Sequence, residues 1–347
     1  MKKTVCIDGL QYVNWHNVPF EQLKGVDAIH VTIAYHEDFR ETVTNIQQWN
    51  QWFEQFNQHL LHGLSGQDVR CAHQSGRTAV FFGLQNPSPI EQDVGLVEVL
   101  HTLGVRFMQL SYNNQSLLAS GCYEKTDGGI THMGEQVIKE MNRVGMVVDM
   151  SHSGERSTLE AIELSSRPIA ITHANPADWH SSPRNKSDTV LKALAHSGGI
   201  LGLSAYPLHL ASGSHCTLEA YCAMVAQVID IMGVDHVALG TDLCQGQPDE
   251  VLRWMRYGRW MKQEINAKAE NEQIRFPDMP HWFQSNRDFV NIEAGLRKQG
   301  IDDESVGKIM GENWLRFFDH GFQAAHHSVP LRPVLDVSLT QRALSRA

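Results

Sequence analysis

The chain has 347 residues, of which 42% are hydrophobic and 20% are charged. This is the composition of a globular protein, and it excludes a disordered, collagen-like or coiled-coil chain. The formal net charge is −10, and because an acidic surface repels phosphate groups we expect no nucleic-acid partner and no membrane partner.

The cysteines and the N-terminal residues predict a cytoplasmic protein. Six cysteines are present, but none forms a Cys-x-x-Cys pair, and the chain is too long for a disulfide scaffold. The first residues contain no apolar stretch of about 7–15 residues, which a signal peptide would require. No segment approaches the roughly 20 apolar residues of a membrane-spanning helix. We therefore expect reduced thiols.

Eight short apolar stretches are predicted as strands, and each ends in polar residues. They cover residues 5–7, 28–33, 78–82, 105–110, 146–150, 169–172, 199–203 and 236–239. Between them lie stretches in which apolar residues recur every three or four positions, as on one face of a helix. These predicted helices cover residues 42–60, 94–103, 134–143, 157–164, 187–196 and 218–232.

This alternation predicts an α/β fold. Strands that alternate with helices pair in parallel, and eight such units favour a closed (β/α)8 TIM barrel over an open sheet. No Gly-x-Gly-x-x-Gly motif follows a strand, which disfavours a dinucleotide-binding domain. We predict one barrel over residues 1–321 and a C-terminal arm over 322–347. The polar insertion at about 243–288 follows the last strand and is predicted to form a lid or pocket wall, or else a surface hairpin.

Polar side chains at the ends of strands are the candidates for chemistry, because the active sites of such barrels lie there. His152 and His173 follow consecutive strands, and Asp242 follows the last one. Imidazole nitrogens suit Zn²⁺, while a carboxylate can bind the ion or accept a proton from water. The other polar residues at strand ends are Asp8, Gln11, Tyr12, His36, Gln85, Tyr112 and Asn113.

Several of these segments together resemble the renal (membrane) dipeptidase family, peptidase family M19. The most specific part is residues 134–186, and similarity extends over about residues 4–318. The matching segments are Gly-Met-Val-Val-Asp-Met-Ser-His at 145–152, Ile-Thr-His-Ala-Asn at 171–175, Arg-Asn at 184–185, Gly-Thr-Asp at 240–242 and Gly-Glu-Asn-Trp-Leu-Arg at 311–316. The resemblance implies a barrel of the metal-dependent hydrolase type, usually a dimer, that hydrolyses dipeptides at a two-zinc site.

The resemblance also implies roles for four residues. His152 and His173 match the two histidines that bind one zinc ion. Arg184 matches the arginine that holds the carboxylate or the tetrahedral oxygen of the substrate. Asp242 matches the acidic residue beside the bridging water, which is proposed to accept or shuttle the proton of that water. The expected substrate is a small molecule, either a dipeptide or an N-acyl amino acid, and the expected assembly is a homodimer.

Other positions depart from the family pattern. The family opens with Asp-Gly-His-x-Asp, whose His and second Asp bind the other zinc, whereas this chain has Leu10 and Tyr12 there. Gln85 replaces the glutamate that bridges the two metals, and Tyr112 replaces a histidine that contacts substrate. We therefore expect a single zinc ion at His152 and His173, with Gln85 and water completing its shell and with Tyr12 and Tyr112 near the substrate.

Three hypotheses follow from these departures. The first is a dipeptidase-like metallohydrolase with a reduced metal site, in which Asp242 is the base. The second is a catalytically silent or metal-free barrel that binds a small carboxylate ligand, with Tyr12 and Tyr112 filling the space of the lost metal. The third is a metal-free lyase or isomerase that uses Tyr112 or Asp242 as acid or base.

Overall fold

The computed structural model describes residues 4–259 and 275–324, and this part of the chain is built around one parallel sheet. Nine strands lie in these ranges. They are β1 (Ile7–Gln11), β2 (Ala28–Ala34), β3 (Leu60–His62), β4 (Thr78–Leu84), β5 (Val105–Gln109), β6 (Val147–Asp149), β7 (Ala170–Ala174), β8 (Ile200–Leu203) and β9 (Val237–Leu239).

Eight of the strands form the predicted barrel. Their order is β1-β2-β4-β5-β6-β7-β8-β9, and every neighbouring pair is parallel. The ring closes just beyond β9, where the Asp242 amide donates to the Leu10 carbonyl at 2.9 Å. The Tyr12 amide donates to the Leu243 carbonyl at 3.1 Å. The predicted TIM-barrel fold is therefore confirmed.

Eleven helices lie in the described ranges. They are α1 (Phe39–Gln55), α2 (Gly66–Ser75), α3 (Leu96–Thr102), α4 (His132–Val144), α5 (Glu155–Leu164), α6 (Asp188–His196), α7 (Leu218–Met232), α8 (Asp249–Tyr257), α9 (Phe289–Lys298), α10 (Asp303–Gly307) and α11 (Asn313–Gly321). None of the helices in the described ranges is long and apolar enough to cross a membrane.

The segment after the second barrel strand differs from the prediction. The helix predicted over 42–60 ends at Gln55, and Leu60 begins β3, which pairs in parallel with β4 outside the ring. The buried Leu60 continues the three- and four-residue spacing of the helix, so periodicity alone could not separate the two elements. Helix α2 was not predicted, because its sequence carries only Val69 and Ala72 as buried apolar side chains.

The amino-terminal end of the barrel is closed. Residues that begin strands, such as Ile7, Ala28 and Ile200, pack in one cluster with Trp314 and Phe318 of α11. The Trp314 indole also donates a hydrogen bond to the Leu239 carbonyl at 2.7 Å. Because this end is sealed by packed side chains, a ligand can approach the barrel only at the carboxyl ends of the strands.

The last strand passes very close to β7, and only glycine fits there. A Cβ atom on Gly240 would overlap the carbonyl oxygen of Thr172. Gly240→Ala should therefore lower the free energy of unfolding by about 2 kcal/mol or more, since forcing atoms into a packed core displaces the backbone. Urea unfolding measures this loss.

Gly128→Ala is the matched control, because the nearest atom to its added Cβ is the Ser120 Oγ at 3.6 Å. This exposed change should alter stability by less than about 0.5 kcal/mol. Equal losses in the two variants would show that the contact between Gly240 and Thr172 does not limit packing.

Candidate active site

A cavity of about 350 Å³ lies at the carboxyl ends of the strands. Six of the seven predicted site residues line it: Tyr12, Gln85, Tyr112, His152, Arg184 and Asp242. The seventh, His173, is fully buried and contacts the cavity-lining His152. Helix α8 provides part of the wall through Leu252 and Met255. Trp260 and Met261 of that insertion, and residues 325–347 of the predicted arm, lie outside the described residues.

The two histidines face each other across the cavity floor. The Nε2 atoms of His152 and His173 are 3.1 Å apart. His152 lies in the loop after β6, where its ring stacks on Tyr112 at a centroid distance of 4.3 Å. Its Nδ1 lies 2.7 Å from the Oδ1 of Asn113, an oxygen that can only accept. The His152 Nδ1 therefore carries the proton, and its Nε2 has a free lone pair.

A buried carboxylate fixes the tautomer of His173 in the same way. Asp149, the last residue of β6, accepts a hydrogen bond at Oδ2 from the Thr172 hydroxyl at 2.6 Å. Since that hydroxyl has used its proton, its oxygen must accept from the His173 Nδ1, which lies 2.8 Å away. The Ser151 hydroxyl donates to the other oxygen of Asp149. His173 thus also directs a bare Nε2 towards His152.

This pair fits one divalent ion. Two imidazole nitrogens bound to a tetrahedral zinc ion lie about 3.3 Å apart, close to the separation of the two Nε2 atoms. Burial, followed by the charge of Arg184, lowers the pKa of both histidines, which keeps them in the neutral form that binds metal. The hydrogen bonds that both Nδ1 atoms donate orient the rings as metal-binding histidines require. No cluster of three or more His, Cys, Asp or Glu side chains suited to a metal occurs in residues 4–259 or 275–324.

The predicted third ligand, Gln85, follows β4 at the cavity wall. Its Nε2 donates to the Thr32 hydroxyl at 2.8 Å. Its carbonyl oxygen makes no hydrogen bond to any described residue and could contribute to a metal site. The amide is neutral, so it would supply no charge to compensate a second cation.

The polar side chains of the first strand hydrogen-bond to each other and to neighbouring residues. The Gln11 amide donates to Asp8 at 3.0 Å and to Asn286 at 2.9 Å. Asp8 also accepts from the backbone amide and the hydroxyl of Thr241, at 2.8 and 2.6 Å. Burial raises the pKa of Asp8 to about 6, although these hydrogen bonds oppose the shift. Leu10 is fully buried, so this strand offers no histidine or free carboxylate to a second metal.

Arg184 brings a positive charge to the cavity wall. Its guanidinium donates to the backbone carbonyls of Ser151 and His173. It forms no ion pair with a described residue, and only 4% of its surface is exposed. Lys186 lies nearby and donates to two backbone carbonyls, and burial lowers its pKa to about 8. The N–H groups of Arg184 that remain can bind an anion.

Asp242 brings an acidic side chain to the same cavity as Arg184. It follows β9 with a φ of 55°, in the left-handed region where non-glycine residues are strained. Its side chain makes no hydrogen bond or ion pair within the described ranges, and 6% of its surface is exposed. Burial raises the pKa of Asp242 to about 7, while Arg184 opposes the shift and Asp8 adds to it.

Three residues contribute to this site although the sequence predicts no role for them. Asn113 was among the polar residues at strand ends, but its contact with His152 depends on the course of the loop. Asp149 acts through Thr172, on the neighbouring strand. Tyr206 lines the cavity three residues after β8 ends. Its place beyond a strand end was the only signal that could have identified it.

Comparison with known proteins places the chain in a family. The family model for membrane dipeptidase (peptidase family M19) matches residues 24–276. The chain belongs to this family. An amidohydrolase from Pseudomonas aeruginosa superposes with a TM-score of 0.87 at 32% identity, covering 92% of this chain and 97% of that one.

Other similar proteins agree with this membership. The dipeptidase verJ of Clonostachys rogersoniana is 27% identical over 291 residues, which are 83% of this chain and 67% of that protein. The dipeptidase tcpJ of Claviceps purpurea is 26% identical over 318 residues, covering 91% and 67% of the two chains. A metallopeptidase from Rhodobacter sphaeroides shares the fold, with a TM-score of 0.75 at 17% identity over 92% of this chain and 99% of that one. M19 membership supports a dipeptidase-like hydrolase.

The unpaired Asp242 should make the fold less stable at high pH. Its folded pKa of about 7 lies above the ordinary aspartate value of 3.8, so the folded state binds the proton more tightly and loses stability as the pH rises from about 4 through 7. Asp242→Asn should therefore raise the free energy of unfolding at pH 8 by on the order of 3 kcal/mol. Near pH 4 the gain should disappear. Urea unfolding at both pH values measures it.

Asp8→Asn is the contrasting variant, because Asp8 is also a buried acid but accepts hydrogen bonds from Thr241 through both of its oxygens. The amide NH₂ would face a donor, so this variant should be less stable at both pH values. A destabilised Asp242→Asn at pH 8 would show that the Asp242 carboxylate has a partner in solution.

Proposed function

We propose that this M19 protein hydrolyses a dipeptide or a related amide of a small amino-acid-like substrate, using a single divalent ion held by His152 and His173. One observation carries the proposal: two Nε2 lone pairs, each fixed by a hydrogen bond on the opposite side of its ring, converge at 3.1 Å. Two acceptors at that distance repel unless a cation or a proton lies between them. Zinc is the proposed ion, because neutral imidazoles suit it.

The remaining chemistry comes from the chain's own side chains. When bound, the ion would supply Lewis-acid polarisation and ease the deprotonation of water. Asp242, with a pKa of about 7, can accept a proton from the attacking water and return it to the leaving amine. Arg184 is placed to hold the substrate carboxylate, for which its planar guanidinium is suited. Tyr12 and Tyr112 would bound the substrate.

We further propose a homodimer in the cytoplasm, as expected from the family resemblance and from the sequence. The barrel with its insertion would form one catalytic unit. A catalytically silent carboxylate-binding barrel is the alternative, and the replacement of the family's ligands by Leu10, Tyr12 and Gln85 is the observation on its side. The joint presence of His152, His173, Arg184 and Asp242 around one cavity supports the hydrolase.

The metal site should depend on Asn113. Asn113→Leu removes the acceptor that orients His152 and should weaken zinc binding about 10–100-fold, as is typical for the loss of a partner behind a metal ligand. Isothermal calorimetry with Zn²⁺ on chelator-treated protein measures the change.

Asn86→Leu is the matched control. Asn86 also hydrogen-bonds a histidine, with its Nδ2 3.3 Å from the Nδ1 of His36, but that histidine is not part of the pair. Zinc affinity should not change in this variant. Two stoichiometric zinc ions in wild-type protein by elemental analysis would contradict the single-ion site.

Asp242→Asn should abolish turnover while the metal content stays the same. An amide of the same shape cannot accept the proton from water, and loss of a general base typically costs about 10²–10⁴ in rate. A panel of dipeptides and N-acyl amino acids, assayed with Zn²⁺, Mn²⁺ or Co²⁺, provides the measurement. Wild-type protein that cleaves nothing in this panel would refute the hydrolase proposal and leave only the fold and family.

A further inference from the structure

A further histidine lines the active-site cavity, and nothing in the proposed chemistry uses it. His209 ends the short 3-10 helix Pro207–His209 in the loop after β8. It lines the same cavity as His152, and only 3% of its surface is exposed. A positive charge on His209 would lower the pKa of both His152 and His173, so its ring lies within electrostatic range of the pair.

Two asparagine side chains hold His209 in place. The amides of Asn175 and Asn185 each donate to the His209 backbone carbonyl at 3.1 Å. Asn175 follows His173 by two residues, and Asn185 directly follows Arg184. The segments that carry a histidine of the pair and the cavity arginine therefore also fix the position of His209.

The tautomer of His209 is opposite to that of His152 and His173. Its Nδ1 lies 2.8 Å from the Ser204 Oγ. Ser204 is fully buried, and its oxygen accepts a hydrogen bond from the Tyr206 backbone amide at 3.1 Å. Among the described residues, the His209 Nδ1 is the only acceptor for the Ser204 hydroxyl proton, so Ser204 donates to it. A neutral His209 therefore carries its own proton on Nε2.

The Nε2–H group of His209 is an unused hydrogen-bond donor at the cavity. It makes no hydrogen bond to a described residue, and it is not fully buried. Burial, followed by the charge of Arg184, lowers the pKa of His209, which keeps the ring neutral at neutral pH. Contact with Tyr206, at 5.4 Å between ring centroids, helps to orient the ring. A fixed donor in a buried cavity suits an oxygen whose negative charge develops during a reaction, because the donor need not reorganise.

We propose that His209 is a catalytic residue whose Nε2–H group binds the oxygen that becomes negatively charged when water adds to the amide carbonyl of the substrate. This inference deepens the proposed function and rests on it for the reaction. As the water oxygen bonds to the carbonyl carbon, the π electron pair of the C=O bond moves to the carbonyl oxygen, where the hydrogen bond from His209 strengthens. The water proton goes to Asp242, and His209 keeps its own. Arg184 remains the partner of the substrate carboxylate.

Steady-state kinetics of the zinc-loaded protein test this role on the dipeptide that wild type cleaves fastest. His209→Leu should lower kcat about 10²–10³-fold, the usual effect of removing one such donor, and should change KM by less than about threefold. His209→Gln keeps an N–H donor near the position of Nε2, so its kcat should exceed that of His209→Leu by at least about tenfold. Equal losses in the two variants, or a raised KM with unchanged kcat, would overturn the proposal.

Two non-cleavable ligands separate the developing charge from ordinary substrate binding. The phosphinate isostere of Ala-Ala has anionic oxygens where the carbonyl oxygen would lie, whereas the reduced-amide isostere has a CH₂ group there. In isothermal calorimetry, His209→Leu should weaken the phosphinate about 10–100-fold, the ratio expected for a hydrogen bond to a charged group, and the reduced amide by less than about threefold. Equal weakening of both ligands would overturn the proposal.

His215→Leu is the matched control, because His215 is an exposed histidine of the same loop that does not line the cavity. Neither affinity should change in this variant. If His209→Leu does not fold, His209→Phe replaces it in both experiments, because phenylalanine keeps a ring beside Tyr206 and lacks the donor.

The outcomes also separate this inference from the proposed hydrolysis. If wild type cleaves no dipeptide but His209→Leu loses affinity only for the phosphinate, the hydrogen bond from His209 is supported and the hydrolase is refuted. If wild type and His209→Leu cleave dipeptides at the same kcat, the hydrolase is supported and the role of His209 is refuted.

Discussion

The structure of the site depends on the hydrogen bonds that fix the tautomers of His152 and His173. Asp149 takes the proton of the Thr172 hydroxyl, Thr172 in turn accepts from His173, and Asn113 accepts from His152. As a result, both Nε2 lone pairs point to the same place. The barrel makes this convergence possible because β6 and β7 are neighbouring strands. Asp149 and Thr172 are 23 residues apart in the sequence but are hydrogen-bonded in the structure.

Two charged residues near the His152–His173 pair lower the stability of the fold. Arg184 and Asp242 are buried without ion-pair partners in the described ranges, and Asp242 also has a strained backbone. A fold selected for stability alone would pair or remove such groups. The first strand shows the opposite arrangement. Asp8, Gln11, Asn286 and Thr241 hydrogen-bond to one another, next to the positions of Leu10 and Tyr12. The same end of the barrel thus contains two kinds of polar group. Those around Asp8 hydrogen-bond to one another, whereas Arg184 and Asp242 line the cavity without ion-pair partners in the described ranges.

Much of the fold and of the site's composition could be predicted from the sequence. Alternating apolar runs located all eight barrel strands, and polar residues at strand ends identified six of the side chains that line the cavity. Strand β3 was missed because Leu60 fits the spacing of the preceding helix. The roles of Asn113 and Asp149 could not be predicted, since they depend on contacts between loops and neighbouring strands. Nor could the sequence show that Arg184 and Asp242 lack ion-pair partners in the described ranges, because ion pairing depends on side-chain positions in three dimensions.

The central claim is that one ion lies between two oriented histidines. The most direct test is a crystal structure of the zinc-loaded protein with diffraction data on both sides of the zinc absorption edge. We expect a single anomalous peak per chain, within about 2.0–2.1 Å of the Nε2 atoms of both His152 and His173. Two peaks per chain, or one peak away from this pair, would contradict it.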